Sequence, residues 1–253
     1  MTKTILSSLI WKCFLGVVLS VAIVPSAFAQ STFHVFPQIA DGSAGSLNYK
    51  SAVMVRNASD AATACTLRLY GLQAAINTIK PGGIIGPLTA YNLTLPPGPQ
   101  PWAYPRTTGQ QSLATGYATL SCDGPVYAQL QYSLYDNGVK IGETTVFSAA
   151  EGPSARLIAD QTEGSHLGVA ISNNTNAAHD YRVTVLDIDA NTIGTATLHI
   201  EARSSLPRFL DQLAPASANV LGSAIVQSLD GSNFSAVGLR FTGGVFAAIP
   251  ATP

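Results

Sequence analysis

The feature that most limits the fold is a two-residue alternation of apolar and polar side chains, repeated in short runs along nearly the whole chain. Over 62–70, Cys65, Leu67 and Leu69 fall on one side and Thr66, Arg68 and Tyr70 on the other. That period belongs to half-buried antiparallel strands. Each run stops at Gly, Pro, Asn or Asp. Strands are predicted at 33–39, 47–56, 62–70, 89–95, 114–122, 126–135 and 139–148, and again at 155–160, 167–172, 181–188, 193–201, 220–228, 235–242 and 245–249. Seven strands per half is the count of an immunoglobulin-like sandwich. The expected fold is therefore all-β, two tandem immunoglobulin-like antiparallel β-sandwich domains. A short helix is expected in the second, at 206–213, with Ser205 as its cap and Pro207 early in it.

The halves also match residue by residue. Ala52-Val53-Met54-Val55-Arg56-Asn57 aligns with Gly168-Val169-Ala170-Ile171-Ser172-Asn173, and the strand from Cys65 with the strand from Tyr181. Leu93-Thr94-Leu95 aligns with Leu198-His199-Ile200, and Thr115-Gly116-Tyr117-Ala118 with Leu221-Gly222-Ser223-Ala224. The constant order, at an offset of a little over ~100 residues, marks an internal repeat. Asp123-Gly124 and Asp230-Gly231 read as turns of equivalent hairpins. Ala128, Leu130 and Tyr132 then match Val237, Leu239 and Phe241 on the core faces, and Cys122 matches Leu229. The expected division is a signal peptide at 1–29, one sandwich at 30–149 and a second at 150–253, with the boundary near Ala149-Ala150-Glu151-Gly152-Pro153. The first half carries two features of its own, a Gly/Pro-rich stretch at 72–88 read as a long loop, and a Pro/aromatic stretch at 96–105.

Two phrases add a family resemblance. Phe36-Pro37-Gln38-Ile39-Ala40-Asp41-Gly42 opens the predicted mature chain, and Gly238-Leu239-Arg240-Phe241-Thr242-Gly243-Gly244-Val245-Phe246 nearly closes it. With them the chain resembles the tandem β-sandwich repeats of secreted proteins from soil bacteria of the acidobacterial type. The resemblance spans almost all of the mature chain. It implies an exported pair of sandwiches and carries no catalytic residues across.

The first residues fit export. Lys3 and Lys12 give a positive start, 14–24 is an unbroken apolar run, and Ala27-Phe28-Ala29 is a processing signal. That run, about a dozen residues, is shorter than the ~20 a spanning helix needs. Cleavage after Ala29 is expected, giving a secreted, extracellular or periplasmic protein with no membrane span in the mature chain. Losing Lys3 and Lys12 leaves 11 Lys+Arg against 14 Asp+Glu, a formal charge of −3 with no basic cluster. Nucleic acid and anionic membrane are poor partners for such a surface. A protein or glycan partner suits it better. Cys13 leaves with the leader, and Cys65 and Cys122, in an oxidising compartment, are expected to form a disulfide.

No catalytic, metal or cofactor pattern emerges. His34, His166, His179 and His199 are scattered without H-x-x-x-H spacing. Ser43 and Ser165 sit among glycines, but not in G-x-S-x-G on a strand-to-helix elbow. Asp187-Ile188-Asp189-Ala190-Asn191 starts like a calcium loop, yet has Thr192 and Leu198 where that loop needs Gly and Glu, so a hairpin turn explains it better. Asn57, Asn92, Asn173 and Asn233 head glycosylation sequons that a bacterial host would leave unused. Trp102 and Tyr104 are the binding candidates, aromatics in a Pro-rich loop that suit a sugar ring or a partner peptide. The functional expectation is an exported non-enzymatic protein with a structural, adhesive or interaction role. The alternative is carbohydrate or peptide binding through the loops around Trp102.

Overall fold

The computed structural model describes residues 31–78, 83–98 and 105–253. The first half holds β1 (Ser31–Ala44), β2 (Leu47–Asn57), β3 (Thr63–Tyr70), β4 (Ala74–Thr78), β5 (Gly83–Leu88), β6 (Ala90–Leu95), β7 (Arg106–Thr107), β8 (Ala114–Asp136) and β9 (Val139–Phe147). The second holds β10 (Ser154–Asp160), β11 (Ser165–Asn173), β12 (His179–Asp187), β13 (Thr192–Ile200), β14 (Ser204–Phe209), α1 (Leu210–Leu213), β15 (Leu221–Ser228), β16 (Ser235–Thr242) and β17 (Val245–Pro250). The protein is all-β, and every ladder between these strands is antiparallel.

The second half forms two four-stranded sheets, β10-β15-β12-β13 and β14-β11-β16-β17. Leu157, Val183 and Val226 from the one and Leu167, Val169 and Ile171 from the other join a single buried cluster, so the layers face each other across a core. The first half pairs its strands in the same order. The early part of β8 lies between β1 and β3, and β3 pairs with β6. The later part of β8 lies between β2 and β9, and β2 pairs with β7. With the β4–β5 hairpin set aside, each half has eight strand segments where seven were predicted. Pairings of the second with the fifth segment and the third with the sixth are shared with the constant immunoglobulin domain. In the second half the first and seventh segments have exchanged sheets relative to it, while in the first half the β1–β2 pairing at Gly42–Ala44 and the continuous β8 join all nine strands into one sheet.

The correspondence extends to single residues. Cys65 pairs with Leu93 as Tyr181 pairs with Leu198, and Leu69 pairs with Ala118 as Val185 pairs with Ala224. A Cβ on Gly116 would collide with the Tyr70 carbonyl, and one on Gly222 with the Leu186 carbonyl, at matching places. Both glycines therefore answer to a backbone crossing that tolerates no side chain. Asn57 and Asn173 are also twins. Their amides donate to Ala61 O (2.6 Å) and Ala177 O (2.7 Å), and their Oδ1 atoms accept from the N–H of Ser59 (2.9 Å) and Thr175 (3.0 Å). Both are buried, so these two sequons are structural plugs of a loop.

Several expectations are corrected. Asp123-Gly124 is not a turn, because β8 runs unbroken through it. Residues 123–125 are where β8 leaves β3 and joins β2, and they pair with neither. The Pro125 ring and the Gly124 flexibility cost the ladder nothing there. In the second half the same point opens into the loop around Asp230-Gly231, which links two sheets and is not a hairpin. Register places Ser228, not Leu229, opposite Tyr181 where Cys122 stands opposite Cys65. Of the predicted helix only Leu210–Leu213 is helical. Ser205 and Pro207 lie in edge strand β14, where a proline's missing N–H can face outward. The predicted long loop at 72–88 contains the β4–β5 hairpin, held by the Tyr91 hydroxyl, which donates to Ala74 O and accepts from Leu88 N–H at 3.1 Å.

The last correction concerns a face. Val237, Leu239 and Phe241 do not point into the second half's own core. They gather with Ala170 and Phe246 against the first-half core around Phe36, Val53 and Leu130. Ala236 takes the inward face, and Gly238 backs onto Leu157 and Leu167. The β14-β11-β16-β17 sheet is thus covered on both faces, which explains the unbroken buried run from Ser235 to Leu239.

Candidate functional site

The second-half sheet does not fill all the space it closes. A cleft of about 280 Å³ remains between the halves. The first half supplies Gln38 and Ala40 from β1, Tyr49 from β2 and Tyr132 from β8. The second supplies Phe209, which ends β14, Leu239 and Phe241 from β16, and Phe246 from β17. Phe246 stacks on Phe241 at 5.5 Å and meets Tyr132 edge-on at 6.2 Å. On β1, Gln38 and Ala40 line the cleft just where the ladder to β8 shifts register between Phe36 and Ile39. The cleft shares Tyr49, Phe209, Gln212 and Phe241 with a shallower depression, where His166 and Asp211 pair at 2.9 Å.

The deepest polar groups are Gln38 and Tyr132, 7% and 2% exposed. The Tyr132 hydroxyl lies among the Gln38 and Ser51 side chains, and it and Gln38 Oε1 are sealed from solvent. Ser51 spends its own bonds on the backbone of Ala40. Burial drives the Tyr132 phenol well above the usual tyrosine value, so it stays protonated. Tyr49 is raised for the same reason.

The two phrases behind the family resemblance meet at this cleft from opposite ends of the chain. Phe36 and Ile39 enter the core, Gln38 and Ala40 face the cleft, and the Asp41 carboxylate accepts from Gly109 N–H (2.7 Å) and Gln111 Nε2 (2.9 Å). Opposite them, Arg240 reaches back to the Asp160 carboxylate at 2.8 Å, fixing β16 against β10.

A polar cluster joins the halves elsewhere. Tyr117 stacks on Tyr70 at 4.5 Å and donates to Asn174 Oδ1 at 3.0 Å, which also accepts from Arg203 at 2.7 Å. Burial, aided by the neighbouring Tyr70, raises Tyr117 and keeps it neutral, with Arg203 opposing.

Of the sequence-predicted residues, Cys65 and Cys122 form a disulfide with an S–S distance of 2.07 Å. Trp102 and Tyr104 lie outside the described residues, as does the predicted leader. The histidines do not converge. His34 is buried with Nδ1 3.0 Å from Ser148 Oγ, and His199 faces Asp180 at 2.7 Å. His179 makes a chain that sequence reading missed, to Asp230 (2.6 Å) and Thr175 (2.9 Å). Thr175 is committed to Asn173 Oδ1 and Ala177 O, which makes the chain a loop clamp. Ser43 and Ser165 bond to Asn48 and Thr242. The Asp187 carboxylate accepts from Asp189 and Asn191 N–H and the Asn191 amide, holding a turn and staying below the usual carboxylate value. Among the described residues, no three His, Cys, Asp or Glu side chains are grouped to hold a metal ion. Gln38, Ala40, Leu239, Phe241 and Phe246 stand in the two phrases that carried the resemblance, but nothing local in either phrase shows that they line one cleft. No family model, no characterised protein and no solved structure matches the chain.

Proposed function

We propose that this chain is an exported, non-enzymatic interaction protein of the tandem β-sandwich repeat kind, acting at the cell envelope or outside the cell. In this reading two immunoglobulin-like units, 30–149 and 150–253, form one stiff body that presents its loops to a partner. The observation carrying the reading is the shared core. Ala170, Val237, Leu239 and Phe246 of the second half belong to the same buried cluster as Phe36, Leu120 and Leu130 of the first. Apolar burial of that kind opposes independent motion of the units, unlike the more polar surfaces of loosely tethered domains.

Export is supported by the Cys65–Cys122 bond, a linkage that persists in oxidising compartments. Among the described residues no helix is long and apolar enough to cross a membrane. The test is to express the full chain in a Gram-negative host and recover it from each compartment. The expected product is periplasmic or extracellular, begins at Gln30, and yields no free thiol until reduced. Recovery in the cytoplasm with the leader intact and both thiols free would refute the proposal.

A further inference from the structure

We propose that the outer face of the β10-β15-β12-β13 sheet docks a second copy of this chain, the two sheets lying face to face about a twofold axis. The inference goes beyond the exported-scaffold reading and does not rest on it.

Along β10, Ala155, Leu157 and Ala159 fill the core, which turns Ile158 outward, 68% exposed. The ladders place Ser223 beside Ile158, and Leu186 beside Ser223. Leu221 and Ile225 flank Ser223 at two residues' distance on the same face, Leu221 44% exposed. Ile188, 73% exposed in the turn after β12, extends the group. Single exposed apolar residues are ordinary, but a contiguous group marks an interaction surface. The internal repeat shows that this place on the sandwich takes a contact. The first-half counterparts of Leu186 and Ser223 are Tyr70 and Tyr117, paired across the equivalent strands. Arg203 and Asn174 of the second half reach those two tyrosines. The second-half place is the more apolar, with Leu221 and Ile225 where the first half has Thr115 and Thr119.

Charge selects the occupant. Asp187 and Asp189 stand at the aliphatic end of the face, while Arg156 and Arg182 lie further along, beside Ile225 and Gln227. The ion pairs among the described residues involve none of these four. A patch with acid on one side and base on the other is complementary to itself when turned over. Rotation about an axis across the strands sets aliphatic side chains on aliphatic side chains, and the Asp187 end of one copy against Arg182 of the other. Head-to-tail addition, in the manner of the two halves, is disfavoured. The first-half counterparts of Val237, Leu239 and Phe241 are Gln129, Gln131 and Ser133, a polar set. Four strands ~4.8 Å apart, with seven residues in β10 at ~3.4 Å each, give roughly 450 Å² of face per copy. That is the low end for a specific interface, so the dimer is weak, with a Kd on the order of 10 μM.

The test is sedimentation velocity of the mature, oxidised chain from about 1 to about 300 μM, a range that brackets the expected Kd. The expected result is a monomer at the low end and a dimer at the high end. Ile158→Lys and Leu221→Lys should each weaken the dimer about tenfold or more, because each buries an unpaired charge at the contact. Arg182→Glu should weaken it about fivefold, since like charges then face each other. Val139→Glu, at a side chain 66% exposed on the first half, is the control and should change nothing. A monomer throughout the range would overturn the proposal and leave the face to an unlike partner. So would a dimer that Ile158→Lys and Leu221→Lys both leave intact, or one that Val139→Glu disrupts. Circular dichroism checks the fold of each variant. If one lysine variant fails to fold the other decides, and the concentration series of the unmodified protein stands by itself.

Discussion

Removing the Phe246 ring should weaken both halves of the molecule, although the residue belongs to the second. Phe246 is 7% exposed and touches both sides of the junction, Phe241 at 5.5 Å and Tyr132 at 6.2 Å. Its ring also lies over Gly142 of β9, where an added Cβ would stand 3.2 Å from Cε1. Truncating a buried Phe to Ala costs roughly 3–5 kcal/mol. Each lost aromatic pair accounts for about 0.5–1.5 kcal/mol of that. The cleft alongside lets water or neighbours enter the gap, so the low end applies, about 3 kcal/mol for Phe246→Ala. Hydrogen exchange read by mass spectrometry separates the strands. A loss of that size should raise exchange by roughly a hundredfold in β8 and β9 as well as in β16 and β17. Val245→Ala, at a side chain 58% exposed, is the control and should change stability by less than about 0.5 kcal/mol. If Phe246→Ala left β8 and β9 as protected as before, the shared-core argument would be wrong.

Gly116→Ala and Gly222→Ala should destabilise by similar amounts, about 3 kcal/mol or more, because each new Cβ meets a neighbouring carbonyl at the same topological point. Gly152→Ala, whose Cβ would stand 3.6 Å from Ser154 O, should be nearly neutral, and urea midpoints of the three variants check the order. His34 supplies a pH dependence. Burial lowers its pKa, only partly opposed by the backbone at Val126 and Ser31, so the fold favours the neutral ring. Its contribution is complete above the ordinary value of about 6.5 and declines as pH falls below it, until the depressed folded value is passed. Exposed His199, raised chiefly by its bond to Asp180, acts in the opposite sense. The comparison is therefore between unmodified protein and His34→Gln, whose urea midpoint should fall less between pH 7.5 and 5.5; an equal fall in both would exclude the role given to His34.

Much of the fold was legible because a half-buried strand writes its period into the sequence. The alternation of Cys65, Leu67 and Leu69 marked both the strand and its buried side. The disulfide followed from thiol parity, and the matching glycines from aligned strands. Reading failed where local chemistry had two outcomes. Asp123-Gly124-Pro125 has the composition of a turn, but long-range pairing on either side carries β8 straight through. On β16 the alternation was right and the face was wrong, since a strand covered on both sides hides which set of side chains points inward. Leu206–Phe209 was read as the start of a helix, with Ser205 as its cap and Pro207 early in it, and pairing with β11 overrode that local signal. The cleft was out of reach for a different reason. Gln38 and Tyr132 are far apart in sequence and acquire a joint meaning only when β1 and β8 are placed beside the outer face of the second-half sheet.

The most direct test of the central claim, two equivalent halves joined by a second-half sheet face built into the first-half core, is differential scanning calorimetry of the oxidised mature protein. The account predicts one transition whose calorimetric and van't Hoff enthalpies agree, at about 150 kcal/mol near 60 °C for its ~220 residues. Two resolved transitions, or a van't Hoff enthalpy near half the calorimetric value, would show halves that unfold independently and would contradict it.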